Sequence, residues 1–348
     1  MTSELVVVFA PNWLGDAVMA LPALADVRRH FASARLVVAA RASVASLFEL
    51  VPGVDAVVTL QWRGGLLARS SLREDIATLH QVGSTVTGER VAILLPNSFA
   101  TAWLASRSGF SERWGYARDW RRHLLTRAVR VPHTSTHQGR FYQHLVAAVG
   151  VATGPLEPQV DVPQHIRQQA AERVRAAGWD GRQRLVTMAP GAAYGTAKRW
   201  LPGHFAQVVA DLAADSVRTV LVGTRADADT IGTIVNSAAA RRAGPISLVG
   251  TTSLAELAGI LALSSACVSN DSGAMHLAGA VGTPLVALFG PTRESETAPL
   301  TRPGGHRSVL TNAVWCRPCM LRECPLDHRC MTGLAPSQVT ATVQALLS

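Results

Sequence analysis

The sequence predicts an α/β protein built of two doubly wound parallel sheets in succession. Three observations carry this. Short apolar runs without polar alternation, such as 5–10, 185–189 and 284–289, read as strands covered on both faces. Segments with helical spacing follow most of them, the pattern of a parallel sheet with crossover helices. At 348 residues the chain exceeds the usual size of one domain, and the alternation restarts after a Pro/Gly-rich stretch at 150–163 that reads as a linker. The expected domains are 1–155 and 156–348.

In the first half, 5–10 is a continuous apolar strand, followed by the turn PNWLGD and a helical segment, AVMALPALADVRRHF. Asp16 falls at the N-terminus of that helix, facing the crevice outside the strand ends. It reads either as an acid stabilised by the helix dipole or as a catalytic base. Neither GxGxxG nor GxxxxGK follows this strand, which argues against a dinucleotide or P-loop site. Strands are expected at 35–40 (RLVVAA), 54–60 (VDAVVTL) and 91–95 (VAILL), the last ended by Pro96 and Asn97. Helices are expected at 43–50, 66–81, 98–107 and 137–149. Between the last two, seven arginines (107, 113, 118, 121, 122, 127, 130) interleave with Trp114, Tyr116 and Trp120. Such a run is either a solvated basic surface or a site for an anionic acceptor, with arginine forks on phosphates and aromatic faces for sugar rings. Arg118, Arg121 and Arg122 are its candidate acceptor contacts, joined by Arg63 after an earlier strand end.

The second half repeats the alternation, with helices expected at 164–177, 203–214, 226–239, 254–263 and 336–347 and strands at 185–189, 219–222 and 247–249. The loop PGAAYGTAKRWLP (190–202) leaves backbone N–H groups open to phosphate. It carries Lys198, the only lysine among 33 basic residues, which marks a place suited to a compact ammonium. The stretch 264–292, SSACVSNDSGAMHLAGAVGTPLVALFGPT, reads as strand 266–269, a polar turn at Asn270 and Asp271, helix 272–281 and strand 284–289. Free N–H groups and the dipole at that helix start favour an anion. Ser272 is placed to cap the helix, Gly273 permits close approach of a ligand, and His276 lies one turn further along the same face. A nucleotide diphosphate, or a sugar attached to one, suits the position; an ordinary capped βαβ unit is the plainer reading.

The formal net charge of +9 suits an acidic partner. With 16% charged residues, no long basic block and no nucleic-acid module, nucleic-acid binding is not the expected function. No apolar run reaches the length of a membrane span, and the 5–10 run is too short and lacks a basic flank for a signal peptide. A cytoplasmic location is expected.

Three motifs together, PNWLGDAVMALPAL, GAAYGTAKRW and SNDSGAMHLAGAVGTPLVALFGPT, resemble the ADP-heptose:lipopolysaccharide heptosyltransferases of glycosyltransferase family 9. Their order and spacing match along nearly the whole chain. The tryptophan of NWLGD and the YGxAKRW loop resemble the heptosyltransferase II branch, which adds the second heptose to the first. The resemblance implies a GT-B fold, two Rossmann-like domains facing each other across a cleft, with the acceptor on the N-terminal domain and the ADP-sugar on the C-terminal one. It implies Asp16 as catalytic carboxylate and Lys198 as the cation on the donor diphosphate. Asp271, Ser272, Gly273 and His276 would line the nucleotide-sugar pocket, with Thr196 and Glu256 as further donor contacts. Heptose would pass from ADP-heptose to the heptosyl-Kdo-lipid A acceptor with inversion and without a metal cofactor. The expected protein is a monomer that meets the inner membrane peripherally, through its lipid-linked acceptor. Other readings are a family 9 or GT-B enzyme with a different donor or acceptor, an epimerase among them, or a basic anion-binding protein.

Four cysteines, Cys316, Cys319, Cys324 and Cys330, crowd into fifteen residues near His306 and His328. Their spacing resembles a structural zinc knot or a redox-sensitive cluster, and reduced thiols in a surface loop are the alternative. Stable disulfides are not expected in a cytoplasmic protein. Cys267, in an apolar strand, reads as inert.

Overall fold

The computed structural model describes residues 4–62, 69–84 and 86–348, and divides between Gln159 and Val160 into two compact units. In the first unit, β1 (Leu5–Phe9), β2 (Arg35–Arg41), β3 (Ala56–Leu60), β4 (Arg90–Leu94), β5 (Glu112–Tyr116) and β6 (Arg127–Val129) form one parallel sheet in the order β3-β2-β1-β4-β5-β6. The second unit repeats the order with β7 (Leu185–Ala189), β8 (Arg218–Leu221), β9 (Ile246–Ser247), β10 (Ala266–Asn270), β11 (Leu285–Phe289) and β12 (Arg307–Thr311), as β12-β11-β10-β7-β8-β9. In each unit the chain runs outward from the first strand on one side, then returns to build the other side. The strand order therefore reverses between β1 and β4 and between β7 and β10. In open α/β sheets, ligands bind outside the carboxyl ends of the strands at such a reversal.

The strongest strands are the apolar runs. Every residue of β1, β7, β10 and β11 is buried, because helices cover both faces. Val7 pairs with Val37 on one side and Ala92 on the other, and Cys267 with Thr187 and Leu285. The unexpected strands are β5, β6 and β12. Each lies toward or at a sheet edge and carries polar or partly exposed residues, so no continuous apolar run announces it.

Two expected helices are interrupted. The segment after β1 forms Leu14–Met19 and Leu21–His30, breaking at Ala20. Pro22 has no N–H to donate and its ring crowds the preceding turn, which starts a new helix. The segment 226–239 is broken at Ser237, whose extended backbone ends Ala228–Asn236 and whose hydroxyl accepts from Ala240 N–H to open Ala238–Ala243.

The 150–163 stretch is tied to each unit separately. Gly154 N–H donates to the buried Asp26 carboxylate, which also accepts from Gln143 and Arg29. Val160 N–H donates to Ala280 O in the second unit. Among the described residues, no helix is long and apolar enough to cross a membrane.

Candidate active site

The best-organised polar cluster of the second unit lies at the β7/β10 reversal. Asn270, the last residue of β10, is fully buried. Its side-chain N–H donates to Pro190 O at 2.6 Å, and its Oδ1 accepts from Trp200 N–H at 3.1 Å. One amide thus fastens both ends of the 190–200 loop beside the end of β10. The Trp200 indole is buried and donates to Leu334 O. Between these anchors, Thr196–Lys198 forms a single 3-10 turn.

That turn delivers Lys198 to Asp271. Lys198 Nζ lies 2.6 Å from Asp271 Oδ2, and Thr292, just after β11, donates its hydroxyl to the same oxygen at 2.6 Å. The two charged side chains are 13% and 4% exposed. A buried carboxylate needs such partners, because an uncompensated charge in this environment is costly. An ammonium has three N–H donors, and Asp271 takes one of them. The Lys198 Nζ also sits 5.0 Å from the centre of the Tyr194 ring.

The cysteine-bearing loop braces this turn from outside. Ala197 N–H donates to Arg322 O, His328 Nε2 bonds Ala197 O at 2.6 Å, and Tyr194 OH donates to Met320 O. Gly195 is required here, because a Cβ would collide with the Arg322 carbonyl. The Arg322 guanidinium stacks 5.1 Å from the Tyr194 ring centre, giving that ring two cationic neighbours. Arg317 holds the other end of the loop, bonding Gly290 O, Thr292 O and Glu294. None of the four cysteines is in a disulfide: Cys330 is buried, Cys316 and Cys324 are half-buried and Cys319 is exposed. Among the described residues, no group of three or more His, Cys, Asp or Glu is arranged to hold a metal ion.

The remaining donor candidates differ in character. Ser272 occupies the N-cap position of Gly273–Val281 but makes no cap bond; its hydroxyl instead pairs with that of Ser269 at 3.0 Å. The expected capping role is therefore corrected, and the helix begins at Gly273. His276 is buried in the first turns of that helix. Thr196 is exposed on the Lys198 turn. Glu256 forms a capping box with Ser253, and its other oxygen lies 3.6 Å from Arg173. Both of its oxygens serve the fold.

In the first unit, Asp16 sits half-buried in the first turn of Leu14–Met19, directly after β1. Its negative charge helps to raise the pKa of the buried Tyr142, behind the larger effect of burial. The exposed Trp13 precedes the helix. A small pocket opens beside this turn at the carboxyl ends of the strands, lined by Asn12, Arg41, Leu60, Trp62, Pro96 and Ser98. Arg41 closes β2 and donates to Asn12 at 2.9 Å. Arg41 has one sign in the sequence: it is the first charged residue after the apolar run LVVAA.

The arginine run departs most from expectation. Arg121 is fully buried. It donates to the carbonyls of Tyr116, Pro96 and Ser98 and to the Asn97 side chain. Burial pushes its pKa down to about 10, against a smaller opposing effect of Asp119. Arg121 is a clamp within the fold and not a contact for an acceptor. Arg113 bonds Leu124 O and Phe110 O, and Arg127 bonds Val149 O and lies over the Trp114 ring. Trp114 and Tyr116 are core residues. Arg118 and Arg122 are exposed. Arg63 lies outside the described residues.

Comparison with known proteins gives the family. Residues 81–329, more than half of the chain, match the model of glycosyltransferase family 9 (heptosyltransferase). The chain is 26% identical over 353 residues to lipopolysaccharide heptosyltransferase 2 of Escherichia coli K12, covering 98% of each. Its structure is similar to that of E. coli ADP-heptose LPS heptosyltransferase II, with a TM-score of 0.83, 24% identity and 98% of each chain covered. It is also similar to E. coli heptosyltransferase WaaC with ADP, with a TM-score of 0.73, 16% identity and 99% of each chain covered. The two parallel six-stranded α/β sheets are those of the GT-B fold. With the family model matching well over half of the chain, the chain belongs to glycosyltransferase family 9, the heptosyltransferases.

Proposed function

We propose that this enzyme is a heptosyltransferase II of lipopolysaccharide core assembly. It moves L-glycero-D-manno-heptose from ADP-heptose to the first heptose of the inner core, at the cytoplasmic face of the inner membrane. The observation that carries the reading is the Lys198–Asp271 pair at the β7/β10 reversal, in a chain that runs end to end with a heptosyltransferase 2.

In this reading the second unit takes the donor. Lys198 turns part of its charge from Asp271 to the diphosphate, and the N–H groups that open Gly273–Val281 add dipolar support. Ser272, Gly273, His276 and Thr196 line the nucleotide-sugar pocket. Glu256 acts at one remove, by capping the helix Leu254–Leu263. The first unit takes the acceptor. Asp16 accepts the proton of the attacking hydroxyl, and Arg118 and Arg122 meet anionic groups of the inner core. The acceptor oxygen forms the new bond to the anomeric carbon as the bond to the diphosphate oxygen breaks. ADP leaves with that electron pair, and its growing charge is stabilised by Lys198.

The test is ADP release by purified enzyme given ADP-heptose and heptosylated Kdo–lipid A. Turnover with that acceptor, and none with unheptosylated Kdo–lipid A or with UDP-sugars, is expected. Preference for the unheptosylated acceptor would make the enzyme a heptosyltransferase I. Asp16→Asn is expected to slow transfer about a hundredfold or more, and near-normal turnover would remove Asp16 as the base.

A further inference from the structure

The connection between β5 and β6 carries, beside the two arginines proposed for the acceptor, an indole that transfer chemistry does not use. Trp120, at its tip, is 93% exposed. Asp119 and Trp120 both have left-handed backbones, with φ of 54° and 58°. Two successive non-glycine residues in that region are strained, and such strain persists only where the surroundings impose it. Arg121, the next residue, is fully buried. Its bonds to Tyr116 O, Pro96 O, Ser98 O and Asn97 lock the base of the connection onto the turn after β4. The indole is therefore held outward by a rigid base. On the same rim, Phe99 is 43% exposed and packs against the His123 ring. Arg118 and Arg122 flank the tip and are exposed, and Asp119 is the only acid between 113 and 130.

We propose that this tip docks the enzyme on an anionic bilayer: Trp120 and Phe99 enter the interfacial layer, and Arg118 and Arg122 meet lipid phosphates until an acceptor takes them. An indole suits that layer, with an apolar body and a polar N–H that headgroups or water can satisfy. Arginines beside it add attraction to negative headgroups that salt weakens. The chain's formal charge of +9 has the matching sign.

The test is sedimentation of the full-length enzyme with vesicles of phosphatidylethanolamine and phosphatidylglycerol, without donor or acceptor. The wild type should bind these vesicles, bind phosphatidylcholine vesicles far less, and be released by salt. Trp120→Ala should lower binding about tenfold and leave the melting temperature unchanged, since the side chain packs on almost nothing. Trp315→Ala removes an indole that is 77% exposed on the second unit and should leave binding unchanged. Equal binding by Trp120→Ala and wild type would overturn the proposal, as would an equal loss in Trp315→Ala. Intact vesicle binding by Trp120→Ala with a raised KM for a deacylated, water-soluble acceptor would also overturn it, making Trp120 a sugar platform. Because the readout needs no transfer, it can fail while heptosyltransferase II activity stands, and the reverse.

Discussion

Positive charge is abundant in the β5–β6 region of the first unit and mostly committed to the fold. At the β7/β10 corner of the second unit, the ammonium of Lys198 is set against one buried carboxylate. Arg113, Arg121 and Arg127 all donate to backbone carbonyls. Lys198 is held within 2.6 Å of Asp271 by a loop fastened through Asn270. The difference teaches that the density of basic residues does not mark a site. Arginine's five donors suit it to satisfying carbonyls where a chain turns away from a sheet, whereas a lone ammonium beside a buried carboxylate can be shared with an incoming anion.

The sharpest way to break this comparison is at Lys198. Lys198→Ala should lower kcat/KM for the sugar donor by about a hundredfold to a thousandfold. It also leaves Asp271 unpaired, which should cost about 3 kcal/mol of stability. The double variant Lys198→Ala/Asp271→Asn separates the two effects. Denaturant unfolding should recover most of the stability while donor use stays low. Recovery of both would reduce the pair to a structural bridge.

Arg121→Ala supplies the opposite pattern. Removing a buried donor strands several carbonyls and should cost about 3 kcal/mol in denaturant unfolding. Arg122→Ala, on the exposed side of the same connection, should change stability by no more than about 0.5 kcal/mol while raising the KM for a phosphorylated acceptor. If the two variants unfolded alike, the division between clamp and surface arginines would be wrong.

Asn270→Ala tests how the lysine is positioned. It frees the Pro190 carbonyl and the Trp200 N–H and should cost about 2 kcal/mol. Its donor KM should rise more than its kcat falls, because Lys198 keeps its chemistry and loses its place. An unchanged donor KM would show that the cysteine-bearing loop alone holds the turn.

Much of this fold is legible in the sequence, because strands buried on both faces must be apolar throughout. The runs at β1, β4, β7, β10 and β11 could be little else. β5, β6 and β12 escape such reading because strands at or next to a sheet edge need no uniform apolar run. At the site, Lys198, Asp271 and the helix start can be found because loops after strands are where a parallel sheet exposes its ends. What holds them there cannot. Asn270 reaches 80 residues back to Pro190 and Thr292 reaches 21 back to Asp271; both look like ordinary turn residues until the strands are placed in order. Arg121 fails to be read for the same reason, since the carbonyls it bonds lie 23 and 25 residues away, past another strand.

The smallest expected effect concerns Glu112, at the start of β5. The Trp114 indole N–H holds its pKa below the usual carboxylate value, and Thr126 and Arg127 reinforce this against a smaller effect of burial. A depressed folded pKa stabilises the protein above the unfolded pKa, and that contribution is lost as the pH falls through the folded one. Glu112→Gln should therefore be less stable than wild type at neutral pH, by no more than about 1 kcal/mol given its partial exposure. The two unfolding curves should converge under acid. A difference that persisted below the folded pKa would trace the loss to packing of the β5–β6 edge, and the ionised contacts around Arg127 would then contribute nothing to the fold.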